Sequence, residues 1–80
     1  MFTVYLIQSL NFPDKKYTGY IANLEKRLTE HNSGKVNLTK NFGPWEIQAA
    51  VHFKDEKKAK DFEKYLKHGS GHAFAKRHFW

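Results

Sequence analysis

The run from Phe2 to Ser9 constrains the fold of this chain more than any other stretch. Strand formers alternate there, placing Phe2, Val4 and Leu6 on one face and Thr3, Tyr5 and Ile7 on the other. That is the period of two of a β-strand, and its content predicts a central one. Asn11, Pro13 and Asp14 supply turn chemistry, and Lys16 to Tyr20 forms a second short extended run. The two runs are expected to pair as a hairpin.

From Ile21 onward the period changes. Ile21, Leu24 and Leu28 recur at helical spacing and Asn32-Ser33-Gly34 is a stop signal, which predicts a helix of about three turns. Lys35 to Pro44 is polar and basic and ends in Gly-Pro, so it reads as a loop, with or without one helical turn, whose Lys35 and Lys40 can reach a phosphate backbone. Trp45 to Phe53 returns to strand formers. Asp55 then caps a helix through Lys67, with Ala59, Phe62 and Leu66 as its apolar stripe. Gly69-Ser70-Gly71 predicts a break. His72 to Trp80 reads as a last short helix that turns Phe74 inward and exposes Lys76 and Arg77.

Eighty residues hold one hydrophobic core, so residues 1–80 are expected to form one domain. Seven Phe, four Tyr and two Trp argue against a disordered chain. No apolar run approaches the roughly 20 residues of a membrane span. Met1 to Leu10 has neither a basic start nor a small-residue cleavage site, and there is no Cys. Disulfides and Cys-based zinc sites are thereby excluded, and a cytoplasmic protein is expected. Fourteen Lys plus Arg against eight Asp plus Glu leave a net charge of +6. On so small a body that charge makes a field attractive to polyanions, nucleic acid first among them, although a lysine surplus also serves solubility.

Read in order, the elements and several short motifs resemble the GIY-YIG endonuclease family. Val4-Tyr5-Leu6 stands where the first motif falls and Tyr17-Thr18-Gly19 where the second falls. Tyr20 to Gly34 is similar to the family's arginine helix, and Gly43-Pro44-Trp45 and Phe62 to Lys67 match the rest. The similarity is greatest to small stand-alone bacterial members, which are akin to the amino-terminal nuclease domain of the excision-repair incision subunit. The resemblance implies an α+β fold with a small three-stranded antiparallel sheet flanked by helices, in the order strand, strand, helix, strand, helix, plus a short carboxy-terminal helix. It also implies a metal-dependent phosphodiesterase acting on DNA in repair or recombination. In this chain the first motif lacks its Gly, both central Ile positions differ, and no Asn follows Glu63.

Phosphodiester cleavage must activate a water, neutralise the phosphate and stabilise a leaving oxygen. Glu63 can hold Mg²⁺ or Mn²⁺, since a hard ion accepts one protein carboxylate when waters and substrate phosphate complete its shell. Its plainer alternative is a solvated helix Glu paired with Lys67. Arg27 suits a scissile phosphate, and His31, one helical turn on, shares its flank. Their alternatives are a surface pair with Glu30 and a histidine on the last helix carbonyls. The resemblance implies that Tyr5 is the base or water-orienting group and that Tyr17 binds or supports the phosphate; both are also plausible as plain sheet aromatics. Gly19 lets backbone approach substrate, or forms a bulge. Lys16, Lys76 and Arg77 are further candidate nucleic-acid contacts. His52, His68, His72 and His78 show no convincing metal-ligand spacing and read as surface or packing residues.

The expected protein is therefore an endonuclease whose catalytic set is Tyr5, Tyr17, Arg27, His31 and Glu63. The alternative is a nucleic-acid-binding module of the same fold without turnover. In so short a chain there is little room for sequence-reading elements, so selectivity is expected from DNA structure or a partner protein. The oligomeric state is left open.

Overall fold

β1 (Phe2–Ser9) is the middle strand of an antiparallel sheet, flanked by β2 (Lys16–Ile21) and β3 (Trp45–Phe53), in the order β2-β1-β3. These positions come from a computed structural model that describes residues 1–36 and 39–80. Among the described residues three helices accompany the sheet: α1 (Leu24–Asn32), α2 (Glu56–Lys67) and α3 (Gly69–His78).

The alternation in β1 divides the interior into two layers. Val4 and Leu6 meet Ala59 and Leu66 of α2 and Ala75 of α3. Tyr5 and Ile7, on the opposite face, pack with Trp45, Tyr17, Ile21, Leu24 and Leu28. A strand covered on both sides needs apolar residues on both, which accounts for the lack of polar alternation in β1.

Ile21 is the first departure from expectation. It closes β2 opposite Thr3 and does not open the helix. Asn23 caps α1 by accepting the Lys26 N–H at 3.0 Å, so the helix begins at Leu24 and is nine residues long. Ile21 nevertheless packs with Leu24 and Leu28; the shared apolar face mimicked a helical period across a strand end. At the other terminus Gly34 takes φ 80, and Lys35 N–H bonds the Glu30 carbonyl at 3.0 Å. That left-handed turn is the expected stop.

The expected loop from Lys35 to Pro44 includes residues 37 and 38, which lie outside the described residues. Its later part is tied down. Ser9 Oγ donates to the Phe42 carbonyl at 2.6 Å and Leu10 N–H to the Pro44 carbonyl at 3.0 Å. Asn32 Oδ1 accepts the Trp45 N–H at 2.6 Å, joining the end of α1 to the start of β3.

α2 begins as expected, with Asp55 accepting the Lys57 N–H at 2.9 Å. The break after it falls at His68, whose backbone is extended, and α3 starts at Gly69 three residues before the expected position. The glycines therefore open α3. A Cβ on Gly71 would overlap the Tyr65 carbonyl, so Gly71 sets how closely the two helices approach. That close approach also corrects the expectation for Phe74. Small Gly71 and Ala75 take the buried side, while Phe74, 37% exposed, lies on the outer flank against Tyr65, His78 and Phe79.

Candidate active site

Tyr5 on β1, Tyr17 on β2 and His31 on α1 converge on the sheet face covered by α1. Ring centroids lie 6.2 Å apart for Tyr5 and Tyr17, 5.9 Å for Tyr5 and His31, and 5.1 Å for Tyr17 and His31. The strand register explains part of this. Tyr5 lies directly opposite Gly19, so its ring crosses β2 where no side chain stands. Gly19 is buried beneath the phenol; it neither forms the bulge in this sheet nor presents backbone at the surface.

His31 is 1% exposed and does not serve the helix-end carbonyls. Its Nε2 lies 3.1 Å from the Tyr5 hydroxyl and its Nδ1 2.7 Å from the Thr39 hydroxyl. Thr39, itself buried, is 3.4 Å from the Val36 carbonyl and offers its own carbonyl to the Trp45 indole N–H at 3.0 Å. Buried polar groups carry a penalty when unpaired, and here the hydroxyl, the imidazole and the phenol satisfy one another in series.

Arg27, one turn before His31, is half-buried. Its Nη1 contacts Glu30 at 3.4 Å, so the pair that stood as the alternative to a catalytic role is formed. Its Nε is buried and has no hydrogen-bond partner among the described residues. Burial raises the Tyr5 phenol above its ordinary value, with the Arg27 guanidinium acting in the opposite direction. Arg27 in turn is raised, chiefly by the Tyr5 hydroxyl beside it. Burial, then the charge of Arg27, lowers His31 below its ordinary value. Tyr5 is thus held as a neutral phenol against a neutral imidazole.

Glu63 reaches this group from α2. Its side chain is only 14% exposed, and its charge is felt at Tyr5. It pairs with Lys67, whose Nζ also lies 6.0 Å from the centre of the Tyr17 ring. The alternative pairing with Lys67 is therefore formed, and Glu63 also stands where its charge acts on Tyr5. Among the described residues no three His, Cys, Asp or Glu side chains gather as a ligand cage. Glu63, a carboxylate whose charge acts on Tyr5, suits a hard ion that brings its own waters and meets a substrate phosphate.

The outlying candidates separate into three places. Lys16 and Lys76 line a cavity of about 450 Å³ that adjoins Tyr17. Arg77 lines a different hollow with Tyr65 and Phe74. Lys35 and Lys40 are exposed beyond the end of α1, on either side of the residues left undescribed. Sequence reasoning missed Thr39, which shows no period or motif; its role arises only because the loop is pinned against α1. It also missed His72 and Trp80, which line the cavity beside Tyr17.

Comparison with known proteins bears on the family. Over 53 residues the chain is 43% identical to a UPF0213 protein of Lactococcus lactis subsp. cremoris, covering 65% of this chain and 54% of that protein. Over 66 residues it is 41% identical to UPF0213 protein YsiG of Lactococcus lactis subsp. lactis, covering 80% and 64%. The chain thus spans between about half and two thirds of the length of these curated relatives. The solution NMR structure of the UPF0213 protein BH0048 from Bacillus halodurans matches with a TM-score of 0.55 and 28% identity, over 95% of this chain and 81% of that one. The family model described as the GIY-YIG catalytic domain matches residues 1–76. With the α+β fold and the ordered motifs in place, the chain belongs to the GIY-YIG catalytic-domain family.

Proposed function

We propose that this chain is a metal-dependent endonuclease that hydrolyses DNA phosphodiester bonds through Tyr5, Tyr17, Arg27, His31 and Glu63. The observation that carries this reading is the buried series Tyr5, His31, Thr39 lying beside Arg27. If the Thr39 hydroxyl donates to the Val36 carbonyl, its oxygen accepts the His31 Nδ1–H, and Nε2 is left as a bare acceptor toward the Tyr5 O–H. His31, held neutral by burial and by Arg27, can then take the Tyr5 proton while Tyr5 takes one from an attacking water. Neither residue has to carry a full charge before substrate arrives.

Arg27 supplies the electrostatic part. Its Nε, without a partner among the described residues, is a donor in want of an acceptor, and a phosphate oxygen meets that need as negative charge builds. Tyr17 borders both this cluster and the adjoining cavity, which suits it to orient the phosphate. Glu63 would hold a divalent cation such as Mg²⁺ or Mn²⁺, which when bound neutralises phosphate charge and stabilises the leaving oxygen. The family resemblance extends this to a role in DNA repair or recombination in the cytoplasm, with a protein partner supplying selectivity.

Purified protein is expected to nick or cleave DNA with Mg²⁺ or Mn²⁺ above the level of a mock purification. Glu63→Ala and Arg27→Ala should each abolish cleavage; activity surviving both changes would remove the assignment. A second reading, a binding module without turnover, is favoured by the Lys67 ammonium on Glu63, which stands where a cation would bind. It predicts salt-sensitive, metal-independent DNA binding. Titration of Mn²⁺ followed by NMR separates the two, since an enzyme should show line broadening at Glu63 and Tyr5 and a binding module none.

A further inference from the structure

The cavity beside Tyr17 has a composition that the cleavage chemistry does not use. Lys16 of β2, Lys67 of α2, and His72 and Lys76 of α3 surround it together with Tyr17 and Trp80. Among the described residues no carboxylate lines it. Lys67 is paired with Glu63, whereas Lys16 and Lys76 form no ion pair among the described residues. Uncompensated cations in a concave site focus field toward an anion.

Trp80 makes the site more than a basic patch. Its N–H bonds the Ala75 carbonyl at 2.9 Å, and its ring packs against the core cluster under α2 and α3. Lys16 Nζ stands 5.5 Å from the centre of the same ring, so an indole face looks toward this exposed lysine and away from the interior. An aromatic face beside exposed, unpaired cations is the arrangement by which proteins hold an unstacked base and its phosphates. A volume of about 450 Å³ falls within the range of small-ligand sites and admits one nucleotide. A base still stacked in a duplex has no face free to enter it.

We propose that this cavity binds one unpaired nucleotide of the substrate strand, its base against Trp80 and its phosphates on Lys16 and Lys76, next to the phosphate that is cut. The location supports this, because Tyr17 belongs to both the cavity and the catalytic cluster and Lys67 links the cavity to Glu63. The preferred substrates are then single-stranded, flapped or frayed rather than continuous duplex. The inference rests on the nuclease reading for its biological sense, but binding can be measured without cleavage.

The test follows tryptophan fluorescence as a short oligothymidylate is added in EDTA, with thymidine monophosphate in parallel. Quenching is expected, with the oligomer bound about tenfold or more tightly than the mononucleotide. Trp80→Leu should remove the quenching and, like Lys76→Gln, weaken oligomer binding measured by anisotropy about tenfold. Near-ultraviolet circular dichroism from Trp45 reports whether each variant is folded. Cleavage rates on a flap and on a blunt continuous duplex complete the set; the flap should be cut faster, and Trp80→Leu should erase that preference. Unquenched fluorescence, equal affinity for monomer and oligomer, or a flap preference unaffected by Trp80→Leu would each overturn the proposal. Oligomer binding through Trp80 in a protein that cuts nothing would uphold the cavity and sink only the nuclease reading.

Discussion

Tyr5 and Gly19 face each other across β1 and β2, and the phenol fills the space that any side chain at position 19 would need. A Cβ there would lie 2.6 Å from the Tyr5 hydroxyl oxygen and 2.8 Å from its ring carbon. The strand pairing leaves no route for Gly19 to withdraw, so the ring must move. Gly19→Ala is therefore expected to displace the hydroxyl from His31 Nε2 and to cost about 1–3 kcal/mol of stability through overpacking. Misplacement of a reacting group by about 1 Å costs on the order of 10²-fold in rate. Single-turnover cleavage alongside thermal melting measures both; a folded variant cutting at the wild-type rate would show that the Tyr5 position is unimportant.

Thr39 stands behind His31, and a Thr39 hydroxyl that donates to the Val36 carbonyl would set which nitrogen of His31 carries the proton. Thr39→Val keeps the shape of the side chain and removes the hydroxyl. The Nδ1 of a buried imidazole is then unpaired, a loss of about 1–3 kcal/mol. Cleavage should fall about tenfold or more, because the ring is free to present Nε2–H toward Tyr5. Thr39→Ser should restore both. A Val variant as active as wild type would mean that His31 takes no proton from Tyr5.

His31 also sets a pH window. In the unfolded chain its pKa is about 6.5; in the fold, burial and Arg27 lower it. As pH falls below about 6.5 the unfolded chain binds the proton first, so stability declines through the window down to the depressed folded value. Above that window the contribution is fully present. Melting temperature should fall on this acid limb, and His31→Gln should flatten that part of the curve. The acid limb of cleavage should lie below about 6.5 for the same reason. On the alkaline side, the raised Tyr5 phenol stays protonated beyond about pH 10. A cleavage acid limb above 6.5 would contradict a neutral, buried His31.

How much of this was legible in the sequence differed from element to element. β1 and β3 have the limits that their strand formers predict, and Asp55 starts α2 where a cap was expected, because propensity and burial agree there. The reading of Ile21 went astray where a strand end and a helix share one apolar face, which periodicity alone cannot divide. Phe74 was expected inside because it is large, but the α2–α3 approach is set by Gly71, and only the small residues fit. Among the site candidates, Tyr5, Tyr17 and Arg27 came from motif order and His31 from its spacing to Arg27, and the four meet on one sheet face. Thr39 was not found, since its place depends on Ser9, Asn32 and Trp45 pinning a loop from three elements. Trp80 was missed for a similar reason, since nothing near it in sequence reveals that Lys16 lies over its ring.

The Glu63–Lys67 pair poses the sharpest question about metal binding, because an ammonium and a divalent cation compete for one carboxylate. Lys67 is 42% exposed, so its ion pair is screened and worth at most about 1 kcal/mol. Lys67→Met keeps the aliphatic stem against Tyr17 and removes the charge. With that competitor gone, the Mg²⁺ concentration giving half-maximal cleavage should fall about fivefold, the equivalent of that energy. Because Lys67 also borders the nucleotide cavity, the titration belongs at saturating DNA, where weaker strand binding does not register. Glu63→Gln should show no saturable metal response in either background. If Lys67→Met raises the Mg²⁺ requirement instead, Lys67 is acting on the phosphate rather than guarding the carboxylate, and Glu63 must exchange its partner for metal without competition.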